Sequence, residues 1–347
     1  MATSLRFVTL DVFTTKRFEG NPLAVVFLED PRQINQAQKQ LIAREFNYSE
    51  TIFVHPPSAG HHQHNHQQDQ QQDQHLRKID IFTVDQELPF AGHPTIGVTY
   101  WFLRLSTKYY AGSTIAPSLP LPLPSGLLTK AGEIPISLVA DESEKVAACI
   151  PHDVRIHAAR MPVKELLRLH AELEPYLDTA AAGPNGDGFP VVSIVKGMTA
   201  VHVRLPSLEA LGKITTPRGG YLIPATTRAR GGYLDEGWDG SGHVAVYFRV
   251  HDVWDEKLGR EVIRSRMVLG TLEDPATGSA CSGMCAYLSL VEGKSAAYRV
   301  VQGVEMGRRS EIGVRVEVKE GGEEIEGVEL LGSAVKVAEG EISVGDE

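Results

Sequence analysis

An α+β fold in two domains, each a curved sheet around one buried helix, is what this sequence predicts, and three observations carry the prediction. Short β-branched and aromatic runs recur along the chain with turn residues between them, which is the signature of many strands. Only two helical stretches are apolar nearly all round, one in each half, and such helices belong inside a core. Each follows a glycine-containing turn, within Leu88–Leu105 and within Leu272–Leu290.

The 347 residues suffice for two domains of ordinary size. A content of 42% hydrophobic and 22% charged residues is that of a globular protein. Lys plus Arg number 34 against 44 Asp plus Glu, a formal net charge of −10. That leaves no cation excess for a phosphate backbone, so no nucleic-acid partner is expected. Three cysteines, Cys149, Cys281 and Cys285, do not read as a disulfide framework. Residues 1–10 lack a basic region followed by a long apolar stretch. No run approaches the roughly 20 apolar residues of a membrane span. The expected location is the cytoplasm, with no membrane partner.

In the first half, Leu5–Thr14 reads as a strand, Gly20-Asn21-Pro22 as a turn and Leu23–Leu28 as a buried strand. Ile34, Leu41, Ile42 and Phe46 recur at helical spacing and predict a helix over 34–46. Ser49–Val54 and Ile79–Val84 return to strand character. Between them, residues 60–75 are nearly all His, Gln and Asp and cannot bury enough apolar surface to offset their ordering entropy. Residues 56–77 therefore read as a flexible insertion. Pro94 suits a first helical position, and Ile96, Val98, Trp101, Phe102 and Leu105 make the helix after it apolar. Residues 113–124, rich in Pro and Ser, read as a connection. The domains are expected to divide there, as 1–125 and 126–331, with a closing strand over 332–347 completing the first.

The second half reads as strands at Ile134–Val139 and Lys145–Ile150, then a helix over Pro162–Leu177 and a turn at Asn185–Phe189. A strand pair, Pro190–Val195 and Ala200–Leu205, turns about Lys196-Gly197. Leu208–Leu211 makes a helical turn, Ala225–Asp239 is irregular, and Val244–Val250 and Ile263–Leu269 are strands. After the second apolar helix come strands at Arg299–Gln302, Gly313–Val318, Gly327–Leu331 and Ala334–Ala338. With each apolar helix wrapped by strands, the two helix starts, around His93 and Thr277, are expected to face each other across a cleft.

Three clusters carry candidate chemistry. Asn47-Tyr48-Ser49-Glu50-Thr51 places Glu50 where a helix meets an apolar strand; taken alone, Glu50 reads as a solvated or capping carboxylate. Phe90-Ala91-Gly92-His93-Pro94-Thr95 places an imidazole at a helix start, where backbone N–H groups can meet an anion, or where a histidine merely caps a turn. Glu273-Asp274-Pro275-Ala276-Thr277-Gly278-Ser279-Ala280 opens the second helix, and Asp274 and Ser279 also fit simple caps.

Together, and in this order, the clusters resemble the phenazine-biosynthesis isomerase (PhzF-like) family, within the wider diaminopimelate-epimerase-like group. The resemblance takes in DVFTTKRFEGNPLAVVF (11–27), NYSETIFV (47–54), ELPFAGHPTIG (87–97), EDPATGSA (273–280) and the closing GSAVKVAEGEISV, and so covers nearly the whole chain. It implies two pseudo-symmetric domains, each a barrel-like sheet around a central helix, with the active site in the interdomain cleft, and a homodimer. It also implies a general acid/base at Glu50, the family's Gly-His pair at Gly92 and His93, and its aspartate and serine at Asp274 and Ser279. Catalytic roles are expected for Glu50, His93 and Asp274, and substrate binding for Gly92, Thr277, Gly278 and Ser279. The implied reaction is an isomerisation or epimerisation by proton shift on a small carboxylated, amino-acid-like substrate, with no cofactor and no metal.

Racemase relatives use two opposed thiols. This chain has Ala91 and Gly92 where the first is expected and no cysteine inside EDPATGS, while Cys281 and Cys285, four apart, are expected to pack in the helix core. A two-thiol racemase is therefore disfavoured. Competing readings are a non-catalytic small-molecule-binding protein on the same fold and a metal enzyme using the His-rich tract, whose spacing fits no defined ligand geometry. No phosphate-binding or dinucleotide glycine fingerprint follows a strand. Residues 216–255, rich in Gly and Arg, are longer than a minimal member needs and are expected to shape the substrate pocket.

Overall fold

The computed structural model describes residues 3–57, 75–106, 123–177, 188–240 and 242–345. The core of the expected insertion (58–74), most of the Pro/Ser-rich connection (107–122) and the start of the turn before 188 lie outside the described residues. The chain forms two compact units, Met1–Ile150 with Leu331–Glu347, and Pro151–Leu330. The strands between 126 and 149 thus belong with the first unit, whereas the sequence reading divided the chain after 125. Among the described residues, no helix is long and apolar enough to cross a membrane.

In the first unit, β1 (Thr3–Val12) lies antiparallel to β2 (Asn21–Phe27) and, on its other edge, to the closing strand Ala334–Val344, with Thr3 opposite Val344. The helix α1 (Gln36–Phe46) carries the chain from β2 to β3 (Thr51–Val54), which is parallel to β2. Antiparallel to β3 runs β4 (Leu76–Phe82), followed by the short β5 (Glu87–Leu88). Three more strands, β6 (Gly126–Thr129), β7 (Gly132–Leu138) and β8 (Val146–Cys149), continue from the edge of β4.

A capping box starts α1: Asn35 Oδ1 accepts from Gln38 N and Gln38 Oε1 accepts from Asn35 N, both at 2.9 Å. Asn47, left-handed at φ 53°, ends it and turns the chain towards Glu50. The inward face of α1 is Lys39, Ile42, Ala43 and Phe46, not the expected Leu41, which is 57% exposed. Positions 39, 42, 43 and 46 share one side of a 3.6-residue period, and Leu41 lies off it. Lys39 tolerates burial because its Nζ is 2.5 Å from Asp80 Oδ2, which His55 Nε2 also meets at 2.8 Å.

The second helix, α2 (Gly92–Tyr100), is buried from Gly92 to Thr99 and packs on β1, β2, β3, β8 and the closing strand. A Cβ on Gly97 would run into Leu23 and Val12, so this glycine sets how closely helix and sheet approach. Pro94 occupies the third helical position rather than the expected first; its missing N–H still falls in the first turn, where no intrahelical acceptor exists. One π-helical turn, Trp101–Leu105, continues the helix.

The second unit holds β9 (Arg155–Ile156), β10 (Val191–Val195), β11 (Met198–Arg204), β12 (Ile223–Pro224), β13 (His243–Asp255), β14 (Arg260–Leu269), β15 (Leu272–Asp274), β16 (Ala296–Gln302) and β17 (Ser310–Val318). The β10–β11 hairpin turns on Gly197 at φ 90°. Parallel pairings join β11 to β13 and β14 to β16, while β13–β14, β14–β15 and β16–β17 are antiparallel. The helix expected over 162–177 is shorter: α3 spans Val163–Leu169 and breaks at His170 (φ −132°, ψ 68°), followed by one 3₁₀ turn. Next comes α4 (Leu208–Lys213), capped by Ser207. Leu166, Leu169, Ala210 and Leu211 cover one face of the sheet in an apolar cluster with Val201, Val203, Val246, Phe248 and Val250. The remaining helix, α5 (Gly278–Glu292), packs on β10, β11, β13, β16 and β17, with Cys281 and Cys285 fully buried as free thiols.

Candidate active site

Glu50 stands on the short link between the Asn47 cap of α1 and the buried strand β3. Its backbone is held from both sides, since the next residue, Thr51, pairs with Ala24 of β2 and with Phe82 of β4. Glu50 Oε2 lies 3.2 Å from His93 Nδ1, with the Glu50 side chain 17% exposed and that of His93 4% exposed. Burial pushes the Glu50 carboxyl up to about 7, with the neighbouring Ser49 hydroxyl offsetting only part of the shift. A carboxyl near neutrality is matched to taking and returning a proton.

His93 and Gly92 open α2, whose first residue follows Ala91 with no side-chain cap. Backbone N–H groups in a first helical turn have no intrahelical acceptor, and the helix dipole adds partial positive charge there. In the first unit, then, Glu50, Gly92 and His93 come together.

Asp274, Thr277, Gly278 and Ser279 come together in the second unit. Asp274 ends β15 and is nearly buried; its Oδ2 accepts from the Thr277 hydroxyl at 2.6 Å. Thr277 stands at the N-cap position of α5 without a side-chain cap bond, Gly278 is the helix's first residue, and Ser279 is half-buried in the first turn. The sequence reading missed the group that holds this turn. Gln302, at the end of β16 and fully buried, donates from Nε2 to the Asp274 carbonyl at 2.8 Å and to Thr277 Oγ1 at 3.1 Å. Its Oε1 accepts from Thr277 N at 3.3 Å and from the Tyr247 hydroxyl at 3.2 Å, and that hydroxyl lies 2.9 Å from Ser265 Oγ. Every atom of the Gln302 amide is thereby used on one turn.

The two helix starts share a frame that was also missed. Glu87, Pro89, Gly92 and Gly97 recur, at the same spacing, as Glu273, Pro275, Gly278 and Gly283. Both glutamates are tied to cations: Glu87 to Lys130 at 2.5 Å, and Glu273 to Arg266 through two bonds of 2.7 Å. Both lie in a short strand paired antiparallel to its predecessor. This internal repeat was available in the sequence as a fixed offset of identical residue types. Among the described residues, no group of three or more His, Cys, Asp or Glu side chains is gathered as for a metal ion.

This mixed fold, rich in strands and poor in helices, is the fold of phenazine-biosynthesis and proline-racemase-type proteins. A phenazine biosynthesis protein of the PhzF family from Bacillus anthracis superposes with a TM-score of 0.67 at 20% identity, over 98% of this chain and 99% of that one. A hydroxyproline epimerase from Agrobacterium vitis does so with a TM-score of 0.51 at 13% identity, over 99% and 94%. The model of the phenazine biosynthesis-like family (PhzC-PhzF) matches residues 10–340, and the chain belongs to that family. The trans-2,3-dihydro-3-hydroxyanthranilate isomerase of Pseudomonas aeruginosa is 30% identical over 342 residues, 96% of this chain and 98% of that protein. An uncharacterized isomerase of Mesorhizobium japonicum is 30% identical over 349 residues, covering 97% and 98%. The chain is an isomerase.

Proposed function

We propose that the enzyme moves a proton between two carbons of a small carboxylated substrate without cofactor, with Glu50 as the acid/base. The observation that carries this reading is the Glu50 carboxyl, raised to about 7 by burial and set 3.2 Å from His93 Nδ1. In the ionised form Glu50 takes a proton from an activated C–H bond. The electron pair left behind spreads into the substrate's unsaturated or carboxylate system. The protonated Glu50 then returns the same proton at another position, so the sum is an isomerisation. Returned to the same carbon from the opposite face, it would be an epimerisation.

His93 orients the Glu50 carboxylate and shares its charge. Backbone N–H groups of the first turns, at Gly92 and at Gly278 and Ser279, are donors suited to a substrate carboxylate or to charge developing on it. Asp274, held by Thr277, acts on the same substrate as orienter of its polar groups or holder of a second proton. This reading requires both helix starts to serve one substrate, as the family resemblance implies, with each half a barrel-like sheet around its helix. The isomerase activity named for the Pseudomonas aeruginosa relative makes trans-2,3-dihydro-3-hydroxyanthranilate, a cyclic amino acid, the first compound to test.

Deuterium incorporation in heavy water, followed by NMR over a panel of cyclic and unsaturated carboxylic acids, tests the proposal. Deuterium at carbon with the native enzyme and none with Glu50→Gln is the expected result. Exchange that persists in Glu50→Gln would remove Glu50 from the role. Binding of panel members without exchange by the native enzyme would favour a binding protein on this fold.

A further inference from the structure

The sheet of the second unit has two unlike faces. Val246, Phe248 and Val250 of β13, with Val201 and Val203 of β11, point into the apolar cluster beneath α3 and α4. The alternate residues, Tyr247, Arg249 and His251 on β13 and His202 and Arg204 on β11, turn to the opposite face, which α5 covers. His202 stands opposite Tyr247, with ring centroids 5.8 Å apart, and Arg204 opposite Arg249. A Cβ built on Gly283 of α5 would lie 3.9 Å from His202 Nε2, so the imidazole sits directly under the helix.

Arg249 is 5% exposed and His202 1% exposed. The Arg249 Nε donates to His251 Nε2 at 2.9 Å, but its Nη1 is buried and meets no acceptor among the described residues. Both ring nitrogens of His202 are likewise buried without a hydrogen-bond partner among the described residues. The titratable groups that act on Arg249 are Tyr287, Arg204, Cys285 and Tyr247, with no carboxylate among them. Asp252 and Glu292 act on His251 instead, from exposed positions. Burial lowers Arg249 to about 10, still far above neutrality, so the guanidinium stays charged. Burial first and Arg249 second push His202 well below the ordinary histidine range, so the imidazole is neutral.

Elsewhere the same chain buries a cation with its counter-charge, Lys39 against Asp80. Here, among the described residues, no carboxylate pairs with the buried cation, and the neutral N–H donor beside it also lacks an acceptor. An unpaired buried charge is strongly disfavoured, and an anion accepting from both donors removes the imbalance. One guanidinium and one neutral imidazole sum to a single positive charge, which selects a monovalent anion.

We propose that Arg249 Nη1 and His202, beneath α5, form a buried binding site for a small monovalent anion, separate from the candidate active-site groups and not dependent on their assignment. The protein, exchanged into sodium gluconate, whose anion is too bulky for a buried site, is titrated with sodium chloride or bromide at constant ionic strength while Tm is followed. A saturable rise in Tm with halide is expected for the native protein, and its loss in Arg249→Met. Crystals of the native protein grown in bromide are expected to show an anomalous peak in contact with Arg249 Nη1, a readout that needs no variant to fold. Equal Tm in gluconate and halide, a halide effect undiminished in Arg249→Met, or a bromide crystal with only water beside Arg249 would overturn the site.

Discussion

The starts of α2 and α5 are built on one frame and treat their acidic groups in opposite ways. At α2, the carboxylate facing the helix start, Glu50, is desolvated, raised to about 7 and left with one imidazole neighbour. At α5, Asp274 has its side chain bonded to Thr277 and its carbonyl bonded to Gln302, inside a network that extends to Tyr247 and Ser265. The comparison teaches a division of labour. One half keeps a carboxyl under-solvated near neutrality, as the proposed proton transfer requires, and the other fixes donors and acceptors in place.

The largest way to break the comparison is Glu50→Gln. Turnover is expected to fall by about 10²–10⁴-fold, the range for loss of a general acid/base, and in the native enzyme kcat/KM should rise with pH through about 7 as Glu50 ionises. A pH profile flat between 5 and 9 would show that another group sets the proton transfer.

Next in size is Asp80→Asn, aimed at the structural ion cluster. Burial alone would raise Asp80, but hydrogen bonds and charge from His55 and Lys39 outweigh it and hold it at about 2. Its folded pKa lies below the unfolded value, so its contribution is present above about pH 4 and is lost as pH falls towards 2. Removing the charge leaves Lys39 buried and unpaired, with an expected loss of about 3–5 kcal/mol in denaturant unfolding at pH 7.

Glu50 shows the opposite linkage. Its folded pKa lies above the unfolded one, so the native state binds more protons between pH 4.5 and about 7, and stability falls over that window. The full shift corresponds to roughly 3 kcal/mol at pH 8. Glu50→Gln should therefore be more stable than the native protein at pH 8 by roughly 2 kcal/mol, with the gap closing by pH 4. A gap independent of pH would show that the carboxyl is not desolvated in solution.

The fourth prediction sharpens the other half. Gln302→Met keeps the volume but removes the amide that holds the Asp274–Thr277 turn. A loss of about 2 kcal/mol in stability is expected from the unpaired backbone groups, with kcat reduced by up to about 100-fold through misplacement of Asp274. Unchanged kcat would make Gln302 purely structural.

The strand-rich fold and its two buried helices were legible because β-branched runs and all-round apolar helices are local signals. The grouping of Glu50 with His93, and of Asp274 with the start of α5, was legible from ordered motifs. Lys39 was not, because its burial depends on Asp80, 41 residues away. Gln302 was hidden for a related reason. Only the parallel register of β14 with β16 sets it beside Ser265, and only the antiparallel registers of β13, β14 and β15 line up Tyr247, Met267 and Asp274. Nothing local in AAYRVVQ announces that its last residue clamps a turn 28 residues earlier.

The pairing of β1 with Ala334–Val344 has a consequence for how the protein is made. A ribosome releases Thr3 long before Val344, with the whole of residues 151–330 between them. The second unit is continuous in sequence and can close as soon as it emerges. The first must hold β1 open on one edge until the last strand arrives, exposing a row of unsatisfied backbone groups in the meantime. The usual order of synthesis, in which the leading domain folds first, is inverted: the half that carries Glu50 is completed last.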